Sequence, residues 1–562
     1  MGIVDSEGLL CGAASGMSVK RTVLRNVLSN WTGYAVNVVV GLLLSPFVVH
    51  SLGDDLYGLW TLIMSLTGYY SVLDLGIRSA VGQYITRYWA QGDVPGVNRT
   101  MNTAVVLMSG AAALAIAASV VISLGIPSWF PAQGEEPWRL QWSAAILGLG
   151  IAIGFPLAVY GSATVATQRY DLSNLIAIVE RLASAGLVVW VLRAGYGLLG
   201  LSIVTTAISL LGATARVLVA FRLLPGMIFS PRAFAKSSLA EIAHYGSFSF
   251  IIRVADQVIQ ATSVLVVGVF MTTAAVTYYA IGANLIPYYA AIITGATWTL
   301  TPLATAYDAQ GDSDGLRRLW LAGTRAVCAL SAIVAGGLVF LGHDFLNLWM
   351  GEKYVSGEQY ASSATVLAIL AAGYLVRMSN NVGVQVLFGM REVKLLAVLF
   401  GGEAIANLVL SVALVRPFGL VGVALGVAIP MVIIQGVVQP LVLLRRLRVS
   451  RGMHLCKLLG GGLAAIGAMA VMSIILYGRL SATTWTVLVA KAALLAVPAS
   501  AFGFWLGTSA QDKTQLLALI GLTRRPRPNG TTRSGVARGA DTSVPAVVKR
   551  RRGTQDDRSE TP

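Results

Sequence analysis

Nine ionisable side chains fall inside long apolar runs of this chain: Arg181, Arg216, Arg253, Arg325, Arg377, Lys491, Glu180, Asp256 and Glu403. A charge at that depth costs about 2.5–3.5 kcal/mol, so a polar or wet surrounding is expected to hold it. Four stripes organise these and other polar residues. Arg253, Asp256, Gln257 and Gln260 stand at i, i+3, i+4 and i+7, on one face of a helix. Arg377, Asn381 and Gln385 are spaced by four. Asn26, Asn30 and Asn37 share a face with Gly33 and Gly41, and Tyr57, Thr61, Ser65 and Tyr69 form a further stripe. An arginine fork binds phosphate or carboxylate oxygens in pairs. Asp256 is placed to orient Arg253 or to exchange a cation. The stripes predict a water-filled binding cavity; the plainer reading is interhelical hydrogen bonding, worth about 0.6–2 kcal/mol per contact.

Covalent or metal chemistry is not signalled. There is no HExxH, phosphate-binding Walker loop or GxSxG elbow. Cys11, Cys328 and Cys456 are far apart, as are His50, His244, His343 and His454, so neither a disulfide framework nor a metal or other cofactor is expected. The run Asp312–Asp314 mimics the metal-binding DxD of sugar transferases, but it precedes "GLRRLW", where helix capping explains it.

The elements that must position these residues are membrane helices. The chain has 562 residues, 56% hydrophobic and 12% charged, with mean hydropathy +0.72. A soluble domain carries roughly 25% charged residues. Apolar runs predict fourteen spans, at 25–50, 56–75, 99–125, 141–163, 173–193, 198–220, 242–269, 273–303, 320–341, 361–388, 395–415, 419–444, 454–477 and 484–507. The expected fold is an all-α polytopic membrane protein with two pseudo-symmetric six-helix lobes and two C-terminal helices. The expected divisions are an N-terminal segment 1–24, an N-lobe 25–220, a linker 221–241, a C-lobe 242–444, helices 13 and 14 within 445–507, and a tail 508–562. The internal repeat is read from "LSPFVVHSLGDDLYGLWTL" and "LVVGVFMTTAAVTYYAIGA", each running from an apolar helix through a tight turn into an aromatic-bearing helix.

With the N-terminus inside, 30 of the 41 Lys and Arg fall on the cytoplasmic side and five outside. That asymmetry predicts cytoplasmic N- and C-termini. It also accounts for the formal charge of +16 without nucleic-acid binding. The basic tail is expected to be disordered. Lys549–Arg552 can meet anionic lipid, or the tail can simply fix topology. "MGIVDS" and "LLCG" lack the context of lipidation signals. Met1 and Met17 both remain candidate starts.

The run "PFVVHSLGDDLYGLWTLIMSLTGYYSVLDLGIRSAVGQYITRYWAQGD" resembles the N-terminal signature of bacterial polysaccharide-biosynthesis membrane proteins, the Wzx-type oligosaccharide-lipid flippases of the multidrug/oligosaccharidyl-lipid/polysaccharide exporter superfamily. The features that carry the resemblance are "LG", Tyr57-Gly58, "LDLGI" ending span 2, and a basic amphipathic segment before span 3; "AVTYYAIGANLIPY" resembles the family's span 8. The resemblance covers about residues 20–507. It implies a two-lobed transporter, not an enzyme, that moves undecaprenyl-diphosphate-linked oligosaccharide across the bacterial inner membrane for O-antigen, capsule or exopolysaccharide synthesis. Membrane lipid, a polysaccharide polymerase and chain-length machinery are the implied partners. Proton or sodium coupling stays open. Under this reading Arg253 and Arg377 hold the pyrophosphate, and Tyr57 and Tyr69 face the cavity, where aromatic rings suit sugar faces; an interfacial tyrosine belt is the alternative. Asp54 and Asp55 are expected to form a tight outer turn and cap span 2, with Asp74 and Arg78 pairing at its other end. Span 1 has asparagines where a lipid II flippase would carry arginine and aspartate. The alternatives are a cation-coupled multidrug exporter of the same superfamily and, behind it, a membrane glycosyltransferase or polymerase.

Overall fold

Short polar breaks and glycines divide the chain into helices. The computed structural model describes residues 12–131, 136–230, 236–476 and 483–507, with backbone alone for 12–24, 27, 236–249, 451, 453–461 and 504–507. Within these residues the helices are α1 Gly12–Leu52, α2 Asp54–Gly68, α3 Val94–Trp129, α4 Pro137–Ala158, α5 Tyr170–Arg193, α6 Gly197–Leu223, α7 Lys236–Phe270 and α8 Thr273–Ala283. The axis of α8 continues as Ile286–Thr297 and Leu300–Ala309. There follow α9 Ser313–Met350, α10 Ser363–Ser379 with its continuation Asn381–Gly389, α11 at 393–418, α12 at 420–446, α13 Arg451–Leu476 and α14 Trp485–Gly507. The expected tail 508–562 lies outside the described residues.

Ten helices are long and apolar enough to cross a membrane among the described residues. The difference from fourteen has local causes. One 54-residue run, Val393–Arg446, contains both α11 and α12. It reverses at Gly419 (φ 56°), a left-handed conformation that suits glycine. At Gly426 a side chain would strike the backbone of Ser411, so the hairpin needs glycine there too. α2 is short because it passes at Gly68 into a 3-10 turn, Tyr69–Asp74. α10 is interrupted at Asn380. The apolar described part of α13, Gly462–Leu476, is below the length needed.

The two halves repeat the same packing. α3 lies on α4 and α5 on α6; α9 lies on α10, and α11 and α12 form their own pair. α1 packs on α5, with Arg193 stacked on Phe47 at 5.8 Å; α7 packs on the α11–α12 hairpin, with Arg416 stacked on Phe270 at 5.8 Å. A repeat that hydropathy alone passes over underlies this. "YWAQGDVPG" (Tyr88–Gly96) and "YDAQGDSDG" (Tyr307–Gly315) enter α3 and α9 with one conformation. Gly92 and Gly311 are left-handed (φ 71° and 68°). Asp93 and Asp312 cap the next helix, accepting from the amides of Gly96 and Gly315 at 2.9 and 2.7 Å. The same carboxylates face Arg99 and Arg318 at 3.8 and 3.7 Å. The DxD-like run is therefore a helix start. "YGLLG" (Tyr196–Gly200) and "FGLVG" (Phe418–Gly422) likewise open α6 and α12.

At the predicted outer end the halves are latched. The expectation that Asp54 and Asp55 cap α2 is corrected: Gly53 (φ 78°) holds the cap position, with no side-chain cap bond. Asp55 accepts from Thr273 at 2.6 Å, and the Asp54 carbonyl accepts from Thr277 at 2.6 Å. The Asp54 carboxylate accepts from Tyr354 at 2.7 Å and pairs with Lys353 at 2.6 Å. Burial, and the hydrogen bond to this carboxylate, push the Tyr354 phenol above its usual range, so it remains a donor. At the other end of α2, Asp74 and Arg78 pair at 3.4 Å. The helix Ile77–Ala90 that follows buries Ile77, Ala80, Val81 and Ile85 and exposes Arg78 and Arg87.

Candidate functional site

Arg181 sits halfway along α5, and two adjoining cavities share it. One, of about 390 Å³, is lined by Gly33 and Asn37 of α1, Asn174, Glu180 and Ser184 of α5, and Thr205 and Arg216 of α6, among others. The second, of about 190 Å³, lies between the halves, with Gly41 and Ser45 of α1, Tyr57 and Trp60 of α2, Asn284 and Tyr288 on the α8 axis, and Trp349 of α9. Gly41 is what admits the arginine: a methyl group there would meet both Arg181 and the Tyr288 hydroxyl. The Arg181 Nε is buried with no hydrogen-bond partner, and no carboxylate pairs with Arg181 among the described residues. Glu180, its neighbour, is taken up by Arg216. The cavity therefore carries net positive charge, in surroundings where Coulomb attraction exceeds that in water. Arg216, one of the charges within the apolar runs, is thus held by an ion pair.

An apolar groove of about 410 Å³ adjoins this space, between α1, the α8 axis, α9 and α14. Leu42, Tyr289, Phe345, Trp485 and Leu488 line it, and Tyr288 faces both groove and polar cavity. Lys491 of α14 pairs with Asp344 of α9 at 2.6 Å beside the groove.

The residues named from sequence divide between cavity and scaffold. Asn37 and Tyr57 line the cavities, and Asn284 donates to the Tyr57 hydroxyl at 3.2 Å. Asn30 accepts from Asn174, tying α1 to α5. Tyr69 bonds Thr262 at 2.7 Å and Ser71 donates to Gln257 at 3.2 Å, both joining the α2 segment to α7. Asn381 accepts from Thr297, and Gln385 from Thr301, at 2.8 and 2.6 Å, joining α10 to the α8 axis. Gln260 donates to Asp256 at 2.9 Å. Asp256, expected to orient Arg253, faces Arg377 at 3.2 Å instead. Arg377 gives its other arm to Glu403 at 2.7 Å, and Gln435 donates to Glu403 at 2.7 Å. The guanidinium lies 5.3 Å from the Phe400 ring. Arg377 is thus faced by two carboxylates and is not a free cation. Arg253 is exposed and makes no ion pair among the described residues.

What sequence reasoning missed is the site around Arg181. Its charge within span 5 was visible, but it belongs to no stripe, and the partner of Glu180 lies 36 residues away on another helix.

The structure is similar to that of the lipid II flippase MurJ in an inward closed conformation, with TM-score 0.63 and 12% identity over 85% of this chain and 97% of that one. It is also similar to an inward-facing multidrug resistance MATE family transporter of the MOP superfamily, with TM-score 0.54 and 14% identity over 75% and 96%. These share the fold. EpsK, a membrane protein of Bacillus subtilis (strain 168), is 23% identical over 88% of this chain and 97% of its own length. A Shigella flexneri protein whose name proposes O-antigen transport is 20% identical over 73% and 96%. Residues 52–357, more than half of the chain, match the profile of one family. The chain is a multi-pass membrane protein and belongs to the polysaccharide biosynthesis protein family.

Proposed function

We propose that the protein is a flippase that carries undecaprenyl-diphosphate-linked oligosaccharide across the cytoplasmic membrane, for O-antigen, capsule or exopolysaccharide synthesis. The observation that carries this reading is Arg181, a cation in the cavity between the halves with no carboxylate partner among the described residues. An anionic head group is the ligand such a site favours, because the fork binds phosphate oxygens in pairs where water competes poorly. The surroundings fit the rest of the molecule. Tyr57, Trp60 and Trp349 offer aromatic faces to a sugar, and the apolar groove beside Tyr288 suits a polyprenyl chain. Head group and tail would then share one continuous surface. With the outer end latched through Asp54 and Asp55, the head group enters from the cytoplasmic side and leaves when the latch opens. Asp256, half exposed beside Arg377, is where a coupling proton or sodium ion would act. A polymerase and chain-length machinery would receive the product.

A drug exporter for organic cations would need an uncompensated carboxylate in the cavity. Glu180 is paired with Arg216 there, which favours the anionic substrate. The test is transport by the purified protein in liposomes of a lipid-linked oligosaccharide labelled in its sugar. Transfer of the sugar to the opposite face, without chain extension, is expected. Export of cationic dyes with no movement of the lipid-linked sugar would favour the drug exporter, and lengthened glycan would favour an enzyme.

A further inference from the structure

Each half of the molecule carries one glutamate at the same place within its helices. Glu180 stands 13 residues before Arg193, and Glu403 stands 13 before Arg416, the two arginines that stack on Phe47 and Phe270. Each glutamate is paired with an arginine, but in different surroundings. Glu403 is fully enclosed and Arg377 is 11% exposed. Glu180 and Arg216 are 21% and 26% exposed, and both line the cavity that holds Arg181. One pair is sealed in the protein. The other faces the space where the ligand would sit.

The seat of Glu180 is also built. Its carboxylate lies flat over Gly212, one helical turn before Arg216, and a methyl group at 212 would displace it. Glu180 and Arg181 are consecutive, so their side chains leave α5 about 100° apart. Glu180 turns to α6, and Arg181 turns to α1 and Tyr288. Three charges thus edge one cavity: a free arginine, and a second arginine occupied by an internal anion.

We propose that Glu180 is a resident counter-ion that a diphosphate displaces, so that Arg216 becomes the second phosphate-binding arginine of the site. This rests on the reading of Arg181 as the first. A diphosphate diester carries two negative charges, and Arg181 alone matches one of them. When the second phosphate reaches Arg216, it replaces the Glu180 carboxylate with a ligand of the same charge and geometry. The freed carboxylate remains beside the cavity and competes for Arg216 again. Glu180 is therefore a positioning residue: it keeps Arg216 neutralised and extended while the site is empty, and its return weakens the hold on the diphosphate and aids release.

The test compares two short-chain probes with the same sugar, farnesyl-diphospho-N-acetylglucosamine and farnesyl-phospho-N-acetylglucosamine, binding to the purified full-length protein in detergent. Glu180→Gln should raise affinity for the diphosphate about tenfold, the worth of one charge-assisted hydrogen bond, and raise that for the monophosphate much less. Gly212→Ala, which unseats Glu180, should shift the ratio the same way. Adding Arg216→Gln to Glu180→Gln should remove the gain. A monodisperse size-exclusion peak serves as the control for folding in each variant. An unchanged diphosphate-to-monophosphate ratio in Glu180→Gln would overturn the proposal, as would equal loss of both probes, which would make Glu180 purely structural. Arg181→Gln separates this from the underlying reading: binding of both probes should fall, and wild-type binding of both would overturn the role of Arg181 itself.

Discussion

Replacing Arg377 with glutamine should destabilise the protein rather than merely weaken ligand binding. The arginine spans two carboxylates of unequal character. Its Nη1 bond to Glu403 is 2.7 Å, and that carboxylate is fully buried, with Gln435 its other partner. Removing one partner of a buried pair leaves an uncompensated charge and costs about 3–5 kcal/mol. Folded proteins have total stabilities of about 5–15 kcal/mol, so the loss is a large fraction of the whole. The second arm is different: Asp256 is 45% exposed. Water solvates an orphaned Asp256 far better than the enclosed Glu403, so Asp256→Asn should cost much less stability than Arg377→Gln. The assay is thermal unfolding of purified protein in detergent, followed by loss of the monodisperse peak on size exclusion. Arg377→Gln should unfold at clearly lower temperature and accumulate poorly in membranes. Adding Glu403→Gln should restore much of the loss, since the orphaned charge is then gone. Wild-type unfolding temperature in Arg377→Gln, together with abolished transport, would refute this reasoning and return Arg377 to the ligand.

Two further expectations concern the latch and the cavity, and a third the orientation. In the outer latch, Tyr354 makes a charge-assisted bond to Asp54, worth about 1.5–3 kcal/mol. Lys353 is 58% exposed, and its pair with Asp54 contributes less than about 1 kcal/mol. Tyr354→Phe should therefore speed labelling of a cysteine at Ser45, below the latch, more than Lys353→Met does; the reverse order would contradict the assignment. Gly41→Ala should displace Tyr288 and crowd Arg181, cutting transport while leaving membrane levels near normal; full transport would show that the close approach is dispensable. In a cysteine-free background, a cysteine at Glu358 should react with an impermeant reagent in intact cells and one at Asp314 should not. The opposite pattern would reverse the orientation expected from the 30-to-5 charge bias.

Much of the fold was legible because burial in lipid leaves a plain signal. Every expected span has a helix, and the places where length alone fails, Gly68, Asn380 and Gly419, are local breaks that hydropathy averages over. The repeat is legible too, at "AQGD" in both halves, in the turns that enter α3 and α9. The site was less so. A helical wheel tells which residues share a face and nothing of what that face meets. Arg253 and Asp256 share a face, yet Asp256 turns to Arg377, 121 residues away. Asn381 and Gln385 form a stripe that meets Thr297 and Thr301 on the continuation of α8. Arg181 had no stripe at all. Its significance comes from Gly41 and Tyr288, which only the tertiary structure brings beside it.

The proposed function turns on Arg181, and the most direct measurement is transport of a lipid-linked oligosaccharide by four proteins reconstituted at equal density: wild type, Arg181→Gln, Arg181→Lys and Arg253→Gln. Arg181→Gln should lose most transport while unfolding at the wild-type temperature, since among the described residues its guanidinium has no carboxylate to leave orphaned. Arg181→Lys should recover only part, because an ammonium keeps the charge without the paired hydrogen bonds. Arg253→Gln should transport nearly as well as wild type. Normal transport by Arg181→Gln, or its loss in Arg253→Gln alone, would contradict the account.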